Sequence, residues 1–240
     1  MNFYRPPTEN DNRDQNGVRK WQAAGLDKLV QTAKTPETKE MEDGSLIITF
    51  PVSLKSSSTS IDAVMQYHIF ADGTVNISTK VDIPAAVGAV AKVGLQMKML
   101  PSYDNVSWYG LGGVSTYPDR RSGGRFDFYD STAREMYDRS LVIPQENFNN
   151  MDVRWASVSN MEGFGFLLSG NSLMNFSAYP YDDVDITKAR HINELDEADF
   201  VTVNFDAVQA GLGTATCAPE FCRNTSPTPK FITSMLPIAR

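Results

Sequence analysis

Tyr117, Asp119 and Arg120 share the short turn YPDR, and Glu146 and Asn147 share PQEN, so two brief segments concentrate side chains able to exchange hydrogen bonds with hydroxyl groups. In YPDR, Pro118 fixes φ and Asp119 accepts bonds from its own backbone or from Arg120, which favours a structural corner. Glu146 and Asn147 are expected either at the edge of a cleft, where they bond ligand hydroxyls, or as satisfied loop groups. His68 and His191 are the only histidines, too few for a histidine-rich metal site. His191 is the more suggestive: ARHINEL brings Arg190, His191 and Glu194 together, the set that proton exchange with a substrate needs. Cys217 and Cys222 are spaced C-x4-C, compatible with a disulfide, two free thiols or half of a metal site, with free thiols favoured.

The segment around which these groups are organised is Trp108 to Arg120, WYGLGGVSTYPDR. Glycines that permit close backbone approach, set beside Trp108, Tyr109 and Tyr117, read as a surface loop facing either a sugar or another domain, because aromatic faces cover apolar C–H surface. A plainer reading leaves Gly110, Gly112 and Gly113 as turn residues and Trp108 as core.

Strands must position these segments. Leu46 to Leu54, Ile61 to Ile69 and Val75 to Val81 alternate apolar and polar residues, and Asp72-Gly73 reads as a two-residue hairpin turn. Val93 to Met99, Val153 to Ser159, Phe164 to Ser169, Asn175 to Ala178, Val201 to Phe205 and Phe231 to Leu236 extend the series, with Val201 to Phe205 half-buried and Glu162-Gly163 a further turn. Val18 to Leu29 predicts a short helix with Trp21 as an apolar anchor, and Asp182 or Asp183 caps another through Ala189. From Arg120 to Pro144 no period is visible, and a loop of that length favours an interaction surface. Many short strands with little helix imply an all-β, antiparallel β-sandwich. Residues 1–17 read as an extended interdomain lead-in laid over a surface, its arginine pairing with its own acids or with a neighbour, and residues 18–240 as a single domain.

Composition narrows the partners. A net charge of −7, from 22 basic and 29 acidic residues, opposes a phosphate backbone, and nucleic acid is not expected. No apolar run reaches membrane-spanning length and MNFYRPPTEND lacks a signal pattern, so a soluble chain without a membrane partner is expected.

Five motifs in order carry a resemblance: RPPTEND (Arg5 to Asp11), WQAAGL (Trp21 to Leu26), the WYGLGG…YPDR segment, PQEN, and GLG (Gly211 to Gly213) followed by Cys217 and Pro219. The chain resembles, across essentially its whole length, the C-terminal small-chain domain, the fifth domain, of β-galactosidases of glycoside hydrolase family two. The resemblance implies a supersandwich of the galactose mutarotase-like type, no catalytic residue and no cofactor in this chain. It implies as partners the barrel and other domains of a parent glycosidase, together with galactoside sugars. The acid/base and nucleophile carboxylates of such enzymes reside in a (β/α)8 barrel, whose βα alternation is absent here.

On that resemblance Trp108, Tyr109, Tyr117, Glu146, Asn147, His191 and Cys217 are the candidate substrate contacts. Three departures bear on them. Ser115-Thr116 replaces a common Glu-Asn before YPDR, Phe148 replaces a usual glycine, and Cys217 falls where some members place a tryptophan closing the galactose site. The resulting expectation is a non-catalytic domain that covers a parent active site and binds carbohydrate. The alternatives are a stand-alone carbohydrate-binding module built on Trp108, Tyr109 and Tyr117, or a mutarotase-like epimerase using His191. A domain without its neighbours is also expected to keep an apolar contact face or to self-associate.

Overall fold

A computed structural model describes residues 1–13, 17–213 and 230–238, the last of these in backbone only. Its strands are β1 (Val30–Ala33), β2 (Glu37–Glu40), β3 (Leu46–Lys55), β4 (Ser60–Ile69), β5 (Val75–Asp82), β6 (Lys92–Met99), β7 (Asn105–Gly112), β8 (Arg125–Thr132), β9 (Asn150–Ser159), β10 (Gly165–Tyr179), β11 (Val201–Gln209) and β12 (Lys230–Ile238). The helices are short: α1 (Glu9–Arg13), α2 (Val18–Ala23), α3 (Ala133–Met136) and α4 (Asp183–Lys188).

All strand pairs are antiparallel, in the order β1-β3-β4-β5-β12-β10-β9-β7-β8, with β2 also on β3, β11 on β10 and β6 on β11. The first half of β10 pairs with β12, and Asn175 to Tyr179 pair with β11. One strand therefore serves both layers, and they close on a common core from Leu54, Ile61 and Val81 to Trp108, Val158, Phe176 and Phe205. This is the expected all-β sandwich.

Several local expectations change. The hairpin at Asp72-Gly73 is a three-residue loop: the Gly73 amide donates to Phe70 O, Phe70 and Thr74 close the ladder, and Gly73 takes φ 87°. The same bonding recurs at Met41 to Ser45 and at Asn160 to Phe164, each with a left-handed glycine before the next strand. The expected strands Phe164 to Ser169 and Asn175 to Ala178 are, from Gly165 on, one strand, β10, whose register shifts between Ser169 and Met174 hide its continuity in the sequence. The region after Arg120 contains β8 and α3; β8 is an edge strand whose alternation of aromatic and aspartate residues lacks a buried face. Thr132 and Glu135 form a capping box that starts α3. β1 and β2, exposed at every position, carry no alternation to read.

The segment Trp108 to Arg120 is a loop only after Gly112, and that loop is exposed at Gly113, Val114 and Pro118 to Arg120 but buried at Thr116 and Tyr117. Trp108 to Gly112 lie in β7, Trp108 is 6% exposed, and Tyr117 is fully buried. Gly110 serves packing, since a Cβ there would stand 2.8 Å from Val153 Cα. Within residues 1–13 the lead-in is not extended throughout: α1 (Glu9–Arg13) lies there, and Phe3 and Arg5 are buried. β11 is buried on both faces, because Thr202, Asn204 and Asp206 are covered as completely as Val201, Val203 and Phe205. Trp21 anchors α2 in the core and Asp182 caps α4, as expected. Among the described residues no helix is long and apolar enough to cross a membrane.

Candidate functional site

The motifs of the sequence converge at one buried corner. Arg5 forks onto Asp11, with Nε to Oδ2 at 3.2 Å and Nη2 to Oδ1 at 2.9 Å. Its remaining donors reach Ala210 O at 2.8 Å and Gly211 O at 2.7 Å. The guanidinium lies 5.6 Å from the Trp21 ring and 5.9 Å from that of Tyr117. Burial opposes the Arg5 charge, but Asp11, Glu146 and Tyr117 outweigh it, so its hold on the proton is strengthened. Asp11 also accepts the Thr8 amide, fixing the start of α1.

From the other side, Tyr117 Oη donates to Glu146 Oε1 at 2.8 Å, and Gln209 Nε2 donates to the same oxygen at 3.2 Å. The Asn149 amide donates to Tyr117 Oη, and the Glu146 amide to Pro6 O, which joins PQEN to the N-terminal segment. Asp119 accepts the Leu212 amide at 3.0 Å and the Gly213 amide at 2.9 Å, joining YPDR to GLG. A Cβ at Gly211 would lie 2.8 Å from Asp119 Cγ, so a larger residue there would have to displace the Asp119 carboxylate.

Behind the corner, the polar face of β6 and β11 carries a second network. Lys92 Nζ donates to Asn204 Oδ1 at 3.0 Å and lies 3.5 Å from Asp206 Oδ2. Gln96 bridges Asn204 and Asp183, and Tyr179 donates to Asp183 Oδ1. Desolvation pushes Glu146 up to about 7, with Lys92 and Arg5 opposing the rise. Desolvation likewise pushes Asp206 up to about 6 against the pull of Lys92. These carboxylates are internal.

Tyr117 and Glu146 meet directly. Asn147 adjoins them but turns away, donating to Asp138 O and accepting the Asp138 amide. Trp108 and Tyr109 point to opposite faces of β7: the Trp108 indole stacks on Tyr129 at 5.0 Å and donates to Leu111 O, whereas Tyr109 packs outward against Phe126. His191 stands apart on an exposed turn, Nδ1 3.1 Å from Glu194 Oε1. Cys217 and Cys222 lie outside the described residues. Phe148 fills the space between Tyr137 and Tyr179. Thr116, buried, accepts the Met151 amide through its hydroxyl.

Lys92, Asn204, Asp206 and Gln209 were absent from the sequence-derived candidates. Their one signal is that they are polar residues on strands whose other face is apolar, which normally means solvent.

Set beside known proteins, the chain matches the family described as "Beta galactosidase small chain" over residues 1–231. Among relatives, a β-galactosidase of Priestia megaterium is 28% identical over 214 residues, covering 88% of this chain and 20% of the relative. Those of Actinobacillus pleuropneumoniae and Kluyveromyces lactis are 25% and 26% identical, covering 92% and 91% of this chain and 21% of each relative. The chain thus spans about a fifth of the length of the relatives it matches. Since the match takes in all four motifs that the corner ties together, the chain belongs to the β-galactosidase small-chain family.

Proposed function

We propose that this chain is the non-catalytic C-terminal domain of a β-galactosidase, that it covers one side of the parent active site, and that it contributes contacts to the galactoside. The observation that carries the reading is the cross-bonding of four motifs, Arg5 with Asp11 and Gly211, Tyr117 with Glu146, and Asp119 with Gly213. Such a braced corner suits the presentation of a loop at fixed geometry, which a positioning domain needs and which is worth roughly 1 to 3 kcal/mol per correctly placed contact. Glu146, Asp11 and Asp206 are buried and engaged inside the domain, which supports positioning over proton transfer to substrate. Within this reading Tyr117, Glu146 and Asn147 hold the loops from below, and Tyr109 keeps an outward ring.

The test has two arms. The isolated chain is expected to leave a chromogenic galactoside unhydrolysed, while Asp119→Ala in the full-length parent raises KM without removing turnover. Hydrolysis by the isolated chain that disappears on replacing one of its own carboxylates would overturn the proposal.

A further inference from the structure

The outward face of β7, β8 and β9 is unlike the rest of the surface. Phe126 and Phe128 are 41% and 50% exposed, and Tyr109 and Trp155 are partly exposed beside them. Tyr109 sits opposite Phe128 on one neighbour and opposite Trp155 on the other, so the rings form a continuous row across three strands spaced roughly 4.8 Å apart. Ring centroids are 4.8 Å apart for Tyr109 and Phe126 and 5.7 Å for Phe128 and Trp155. Arg154 spans Tyr109 and Phe126, 5.7 and 5.1 Å from their centroids.

The row runs into an open depression of about 610 Å³. Leu111, Pro118 and Phe126 form its apolar lining, and Asp119, Arg121, Ser122 and Asp152 its polar rim. Arg121 is ion-paired with Asp152 at 2.5 Å, which leaves that pair without net charge. Asp152 takes φ 55°, the one positive φ at a non-glycine position among the described residues, and holds its carboxylate at this rim.

We propose that this face is a saccharide-binding site taking a neutral oligosaccharide. A sugar ring presents an apolar C–H face together with in-plane hydroxyls, so it needs aromatic faces adjoining donors and acceptors; Phe126 beside Arg121, Ser122 and Asp152 supplies both. The rings continue past the depression, from Phe126 to Phe128 and Trp155, which suits a chain of units. Charge compensation within the Arg121 and Asp152 pair disfavours an anionic ligand. The site adjoins the covering loop at Asp119, but the covering role makes no demand on Phe128 or Trp155.

Titration of the 240-residue chain with β-1,4-galactotetraose, lactose and galactose, followed by calorimetry and tryptophan fluorescence, tests the site. The tetrasaccharide is expected to bind at least about tenfold more tightly than galactose and to perturb the emission, since Trp155 alone of the three tryptophans lies on this face. Phe128→Ala and Arg121→Ala, at exposed positions, should each weaken binding by about tenfold with an unchanged melting temperature. Absence of heat and of spectral change with all three sugars would overturn the proposal. So would binding indifferent to Phe128→Ala and Arg121→Ala, or a concentration-dependent self-association that Phe128→Ala abolishes. Asp119 also lines the depression, so the two proposals are separated by the other arm of the covering test: hydrolysis of a galactoside by the isolated chain is independent of Phe128→Ala and Arg121→Ala.

Discussion

Gln209 Nε2 donates to Glu146 Oε1 at 3.2 Å, and the two oxygens left over, Glu146 Oε2 and Gln209 Oε1, are both buried without a hydrogen-bond partner. A single proton on Glu146 Oε2 would let the carboxyl and the amide pair through both arms, which is the form that burial favours. Around Glu146 stand Lys92, Arg5 and Tyr117, with Asp183 adding negative charge.

Because Glu146 is pushed up to about 7 in the fold, the native state holds this proton where the unfolded chain has released it. Its contribution to stability is full below about pH 4, declines as pH rises through about 7, and is absent above. Asp206, raised to about 6, acts in the same direction. Glu146→Gln keeps both arms of the pair without a titrating proton. Urea melts from pH 5 to 8 should show the wild type losing up to a few kcal/mol and the variant losing less, with their order of stability reversing towards pH 8. Parallel pH profiles for the two proteins would refute this account of Glu146.

Asp11→Ala leaves the Arg5 guanidinium buried without its carboxylate. The expected cost is about 3 to 5 kcal/mol, seen as a lowered urea midpoint. A loss below about 1 kcal/mol would mean that Ala210 O and Gly211 O suffice for Arg5.

Two glycines separate packing from backbone freedom. Gly110→Ala drives a methyl group into Val153 and should cost about 1 to 3 kcal/mol. Gly44 has open space around it but φ 79°, so Gly44→Ala should cost only about 1 kcal/mol. Thermal denaturation of both variants checks the ranking, and equal losses would contradict the close approach of β7 to Val153.

Asp119→Ala removes the acceptor for two successive amides of the GLG turn. Hydrogen exchange at Leu212 and Gly213 should accelerate by about fivefold, equivalent to roughly 1 kcal/mol at this exposed position, with core strands such as β10 unchanged. Unaltered protection at those two amides would show that the turn does not depend on YPDR.

His191→Ala should leave the mutarotation of freshly dissolved α-galactose at the rate of buffer, as should the wild type. His191 and Glu194 bond each other on an exposed turn, not within the depression lined by Leu111 and Phe126. Polarimetry decides this, and a wild-type acceleration lost in the variant would restore His191 as a proton-exchanging group.

The sequence by itself determined the strands with one wet and one dry face. β4 and β5 are visible because alternation is imposed by the pleat, residue by residue, wherever one side meets the core. The order of the signature motifs likewise identified the family and the sandwich it implies. What only the tertiary structure decided is which polar residues leave solvent. Asn204 and Asp206 read as the wet side of β11, yet both are buried in a network with Lys92 and Gln96. Tyr117 and Glu146 meet across 28 intervening residues, and Arg5 reaches a carbonyl 206 positions away, through closures that no local period records. Trp108 and Tyr109 make the same point within a single strand. Composition marks both as contact residues, but the pleat sends one ring into the core and the other to the surface, and which goes where depends on the side on which the second sheet lies.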